Sequence, residues 1–120
     1  MIIHQFDVWL VNLNLTKGSE QNGERPCIIL QTNASGDHGA TTLIAPCTTK
    51  KLNKIHSFQV MLEPSNQNGL TKISKIKFDQ IRVIDKIRLL KKLGDLEKTY
   101  HTDIVNAIKV IFDLEKDFTI

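Results

Sequence analysis

A chain of 120 residues, 41% hydrophobic and 24% charged, can build one folded domain and is too short for two, since folding at this mass hides roughly two-thirds of the unfolded surface. The composition excludes an intrinsically disordered chain and a collagen-like or low-complexity repeat, and no apolar run reaches the roughly 18 residues of a membrane-spanning helix. The formal charge of +3 is unevenly spread: residues 50–92 carry eleven Lys or Arg against Glu63, Asp79 and Asp85, an excess of +8, and the remainder carries five basic and ten acidic residues, a balance of −5.

Such a basic middle segment suits a polyanionic partner, and equally a solvated lysine-rich face. With Asp7 near the start and no basic stretch ahead of a cleavage site, the sequence reads as a soluble cytoplasmic domain over residues 1–120.

In chain order, the run 7–13 is the first strand, rich in Val and Leu, and its Trp9 reads as a core residue. Residues 14–25 follow, polar, long for a hairpin and containing Gly18 and Gly23. Loops of that kind carry function on small scaffolds, a passive connection being the alternative. Strands are expected at 26–32, 41–48, 58–62, 71–77 and 80–85, with a hairpin connection at 33–40 and a reversal at Asn68-Gly69. Phe58, Val60 and Leu62 alternate with Ser57, Gln59 and Met61, as expected when one sheet face meets a core.

After Gly94 the period changes: Leu96, Tyr100, Ile104, Ile108, Ile111 and Leu114 recur every three or four residues. That spacing predicts an amphipathic helix with Asp95 as its N-cap. Five or six short strands and one helix predict a small twisted barrel or sandwich closed by the helix, mainly β with α. Cys27 and Cys47 lie in apolar stretches and read as buried free thiols. His4, His38, His56 and His101 are scattered, without metal-ligand spacing.

The segments DVWLVNLNLTKGSEQNGERP, LIAPCTT and FDQIRVIDKIRL, then GDL ahead of a terminal helix, resemble in that order the MazF/PemK/Kid family of type II toxin–antitoxin toxins. The resemblance implies a small SH3-like antiparallel barrel of the CcdB/MazF type with a C-terminal helix, assembled as a homodimer. It also implies an mRNA interferase: an endoribonuclease without metal or cofactor that cuts single-stranded mRNA and leaves 2′,3′-cyclic phosphate and 5′-hydroxyl ends. A cognate MazE-like antitoxin with an acidic segment would block the RNA groove. By position, Arg25 of GERP matches the family's catalytic arginine and Thr48 of APCTT its catalytic threonine, with Thr49 the match if the register shifts by one. Asp79 of FDQ matches an acidic residue assigned to proton transfer in Kid-like relatives, with Glu20 and Glu24 as rivals. The chain departs from the pattern at Phe6, where many members have Gly, and at Leu15, where many have Pro.

Metal-free RNA cleavage needs removal of the 2′-OH proton, support for an anionic pentacoordinate phosphorus, and protonation of the departing 5′ oxygen. Arg25 suits the second task, because a guanidinium is planar, bidentate toward phosphate and permanently charged. Thr48 adds a hydroxyl donor. Asp79 is the first choice as base, a strand-end carboxylate beside a lysine being its plain alternative. Lys50, Lys51, Lys77 and Arg82 would follow phosphates, while Ser19, Glu20, Gln21, Thr49 and Gln80 would contact the substrate between them. Trp9 and Phe6 are weaker candidates for base stacking. Two other readings stand beside this one: a CcdB-like gyrase-binding poison and a non-enzymatic SH3-like nucleic-acid module.

Overall fold

The computed structural model describes residues 2–14, 23–32 and 39–114. Within them run β1 (Asp7–Asn12), β2 (Glu24–Ile29), β3 (Thr41–Thr48), β4 (Gln59–Leu62), β5 (Ser74–Lys77), β6 (Arg82–Asp85), β7 (Leu89–Asp95) and the helix α1 (His101–Phe112). The strands lie in the order β4-β5-β3-β2-β1-β7, and β6 also pairs with β3. All pairings are antiparallel.

β3 is the spine. Its first half pairs with β6, from Thr41↔Asp85 to Ile44↔Arg82, and its end pairs with β5 through Cys47↔Ile76 and Thr48↔Lys75. Alternation along the strands then separates two apolar clusters. Ile28, Ala45 and Cys47 join Val60, Ile76, Phe78, Ile104 and Ala107 on the face that α1 covers. Cys27, Ile29 and Ile44 join Trp9, Val11, Leu13, Ile84 and Leu89 on the other. Both cysteines are buried free thiols.

The strands expected at 41–48 and, within a few residues, at 7–13, 26–32, 58–62, 71–77 and 80–85 are present. The turn at Asn68-Gly69 also forms, with Gly69 at φ +72. Three expectations are corrected. A seventh strand, β7, follows the six read from the sequence. Its pairing with β1 is shifted between Val8 and Trp9 and again between Leu10 and Val11, and such irregularities erase a two-residue alternation. Asp95 is not a helix cap: it ends β7, its N–H donates to the Gln67 carbonyl at 2.9 Å, and its carboxylate pairs with Lys92 at 3.0 Å. The helix begins at His101, six residues later, after a 3₁₀ turn over Lys98–Tyr100. Leu96 is nevertheless buried, and the Tyr100 hydroxyl accepts the Glu63 N–H at 3.0 Å, so the linking segment supplies the apolar beats that resemble another helical turn. Leu114 is exposed rather than on the buried stripe. It lies past Asp113 (φ 53), and its N–H closes the helix on the Lys109 carbonyl at 2.9 Å.

Two backbone positions fix how β7 meets the rest. A side chain on Gly94 would overlap the carbonyl of Gln67, and one on Gly69 that of Leu93, so the turn before β5 touches β7 backbone to backbone. Phe6 has φ 70, a left-handed conformation that costs a non-glycine residue about 1–2 kcal/mol. Its ring packs on His101 at a centroid distance of 4.5 Å, and its backbone bonds the Ile29 carbonyl at 2.7 Å and the Leu96 N–H at 3.0 Å. The residue that departs from the resemblance thus keeps a glycine-type backbone and offsets the strain with packing.

Candidate active site

Arg25 is the second residue of β2, and Thr48 closes β3. The ladder between them pairs Cys27↔Pro46, Ile28↔Ala45 and Ile29↔Ile44. Continued by two residues, the same register sets Arg25 level with Thr48 on the same face of the sheet. The guanidinium leans that way: Arg25 Nη1 donates to the Cys47 carbonyl at 3.4 Å. Arg25 is half-buried and Thr48 buried. This face continues the Cys27, Ile29 and Ile44 side of the sheet past the edge of its apolar cluster.

The Thr48 hydroxyl accepts the Lys50 N–H at 3.2 Å. Acting there as acceptor, it keeps its own hydrogen for donation. Burial pushes the Cys47 thiol up to about 12, with Arg25 opposing. Burial also raises Cys27 well above the ordinary thiol value, neighbouring Cys47 adds to this, and Arg25 and Arg82 both pull the other way. Two guanidiniums therefore act on the same small region of β2 and β3.

β5 supplies the next wall. Thr48, Lys75 and Met61 form one row across β3, β5 and β4. Because β3 and β4 flank β5 and run parallel to each other, residues 49–58 cross over β5. Lys75 lies beneath that crossing with 4% of its surface exposed, and its ammonium donates to the carbonyls of Lys51 at 2.9 Å and Lys54 at 3.0 Å. Burial lowers its pKa from the usual lysine value; Lys77 and Lys51 act in the same sense and Asp79 against them. Sequence reasoning missed this residue. A lysine inside a basic segment reads as solvated, and only the crossing segment makes it an interior group.

The remaining expected residues are distributed as follows. Thr49, Lys50 and Lys51 are exposed at the end of β3, and Lys77 is half-buried at the end of β5. Asp79 is exposed in the 3₁₀ turn Phe78–Gln80, which buried Phe78 anchors. Gln80 and Arg82 are half-buried where that turn enters β6. Glu24 is exposed and pairs with Asn12 on β1, on the strand side away from β3. Ser19, Glu20 and Gln21, like Leu15, lie outside the described residues. Trp9 is buried, its indole N–H donating to Asp7 Oδ2 at 3.2 Å, and Phe6 is engaged with His101. Neither ring is presented to a base.

Among the described residues, no group of three His, Cys, Asp or Glu side chains is placed to hold a metal ion. No helix among them is long and apolar enough to cross a membrane. The candidate site sets a cation and a hydroxyl on one sheet face with exposed lysines close by in the chain, an arrangement suited to a phosphodiester.

Comparison with known proteins agrees with this fold. A family model described as PemK-like, MazF-like toxin of type II toxin–antitoxin system matches residues 4–112. The chain is 38% identical over 109 residues to an endoribonuclease MazF of Staphylococcus saprophyticus, covering 90% of this chain and 89% of that protein. It is 34% identical over 113 residues to the endoribonuclease MazF of Staphylococcus epidermidis, covering 94% and 93%. Among solved structures, a mycobacterial endoribonuclease in complex with its cognate antitoxin superimposes with a TM-score of 0.78 at 21% identity, covering 97% of this chain and all of that one. MazF of Deinococcus radiodurans gives 0.78 at 18% identity, covering 94% and 98%. At these identities the superpositions speak for the barrel with its C-terminal helix.

Proposed function

The chain belongs to the PemK-like, MazF-like toxins of type II toxin–antitoxin systems, and on that premise we propose that it is a sequence-selective endoribonuclease that cuts single-stranded mRNA through Arg25 and Thr48 without a metal. The membership supports the general activity, an endoribonuclease toxin. The observation that supports the assignment of residues is the Arg25 guanidinium on the Cys47 carbonyl, one peptide unit before Thr48.

The 2′-oxygen attacks the adjacent phosphorus, the P–O5′ bond breaks, the departing 5′ oxygen takes a proton from water, and the products are a 2′,3′-cyclic phosphate and a 5′-hydroxyl. Charge builds on the two non-bridging oxygens. Arg25 offers parallel N–H donors to one of them, and the Thr48 hydroxyl donates to the other. Partial burial strengthens both interactions as charge develops. Arg25 is a poor base, its pKa lying above about 12, so the 2′-OH proton needs another acceptor. Asp79 is assigned that role: it is the acidic group whose field reaches Lys75 beside Thr48. Lys50, Lys51 and Lys77 would hold flanking phosphates, with Ser19, Glu20, Gln21, Thr49, Gln80 and Arg82 as further substrate contacts. The same cationic rim would receive an acidic antitoxin segment, and a homodimer would set two such rims side by side.

Purified protein should cut single-stranded RNA in EDTA, and Arg25→Ala and Thr48→Ala should fold normally while cutting far more slowly. Full activity in both folded variants would remove the assignment. Intact RNA together with stalled gyrase would favour the CcdB-like reading.

A further inference from the structure

We propose that Lys75 is a positioning residue of this site, whose buried ammonium holds the turn at residues 50–54 and, through the Lys50 N–H, the Thr48 hydroxyl. The inference rests on the nuclease reading for its kinetic consequence and on geometry alone for the positioning itself.

The links form one chain. Lys75 Nζ draws the carbonyls of Lys51 and Lys54 to one point, at 2.9 and 3.0 Å. The Lys54 N–H also faces the Lys51 carbonyl at 3.4 Å. Lys51 has φ 55, a left-handed conformation unfavourable for a residue with a side chain. Just upstream of it, the Lys50 N–H meets Thr48 Oγ1 at 3.2 Å, so the ammonium holds the chain immediately past that bond. The ammonium offsets the strain: two carbonyls that lack a ladder partner at the strand end find a charged donor.

Burial alone does not explain a lysine here. Its strand neighbour Ile76 is fully buried with an apolar side chain, and an interior ammonium carries a desolvation cost that an apolar side chain avoids. Lys51 and Lys77 add repulsion. What the ammonium supplies in exchange is direction, since it fixes two carbonyls of the segment that follows Thr48.

Lys75→Met keeps the stem and removes the donors. Lys51→Gly removes the backbone strain, so in Lys75→Met/Lys51→Gly the turn should form without its tether. Amide hydrogen exchange at Lys50 and the kinetics of RNA cleavage would be measured on wild type, both single variants and the double variant. We expect Lys75→Met to unfold cooperatively, to exchange at Lys50 about 2- to 10-fold faster, and to lose about tenfold or more in kcat. The double variant should regain both, keeping only the higher KM of Lys51→Gly. Unchanged Lys50 exchange and kcat in Lys75→Met, or losses that Lys51→Gly does not repair, would overturn the proposal. If Lys75→Met fails to fold, Lys75→Gln enters the same series and the same outcomes decide. A wild type that cuts no RNA would overturn the nuclease reading, while Lys50 exchange would still decide the tether.

Discussion

The Arg25 guanidinium donates to the carbonyl of Cys47 at 3.4 Å, and the peptide unit carrying that carbonyl leads into Thr48. A cation and a hydroxyl from different strands are thereby held on one face by backbone register. Conservative changes should expose the separate roles. Thr48→Val, nearly isosteric at this buried position, should fold and lose cleavage by about 10²-fold or more, the usual effect of removing one transition-state donor. Thr48→Ser should retain most activity. Arg25→Lys keeps the charge and loses the planar fork, and should resemble Thr48→Val rather than wild type. Single-turnover cleavage rates check all three.

Phe6, held at φ 70, gives a stability prediction with opposing terms. Phe6→Ala loses the packing on His101 and retains the left-handed strain, whereas Phe6→Gly loses the packing and relieves the strain. The glycine variant should therefore be the more stable of the two by about 1 kcal/mol. Denaturant unfolding of both variants measures the difference.

Gly94→Ala should be costly, because the added methyl would meet the Gln67 carbonyl, which is backbone and cannot rotate away. A loss of about 1–3 kcal/mol or more is expected. Gly39→Ala, whose added atom finds only ordinary contacts near Thr41, is the control. Thermal unfolding of the pair would show whether the turn and β7 are packed as described.

Cys47, pushed up to about 12 by burial, and Cys27, raised in the same sense, should be almost wholly protonated and shielded near neutral pH. Titration with a thiol reagent should find neither in the native protein and both after denaturation. Rapid native labelling of either would contradict the packing of β2 on β3.

These tests also mark what the sequence alone conveys. The strands at the centre of the sheet were legible because Val, Ile, Leu and Thr cluster there between turn residues. Arg25 and Thr48 were singled out through their motifs, and the β2–β3 register brings the two level. β7 was not, since its LLKKLGD run pairs with β1 through two register shifts and shows no steady alternation. The helix start was misplaced because Leu96 and Tyr100 reach the core from the segment ahead of the α-helix, Tyr100 from a 3₁₀ turn. Lys75 stayed hidden for a different reason: its burial depends on residues 49–58 crossing over β5, a tertiary event with no local signature.

The most direct test of the central claim is the chemistry of the ends left when purified protein cuts single-stranded RNA in EDTA, read by mass spectrometry beside Arg25→Ala. Wild type should leave 2′,3′-cyclic phosphate and 5′-hydroxyl ends, and the variant almost none. Ends bearing a 5′-phosphate, or cleavage that appears only when Mg²⁺ is restored, would contradict it.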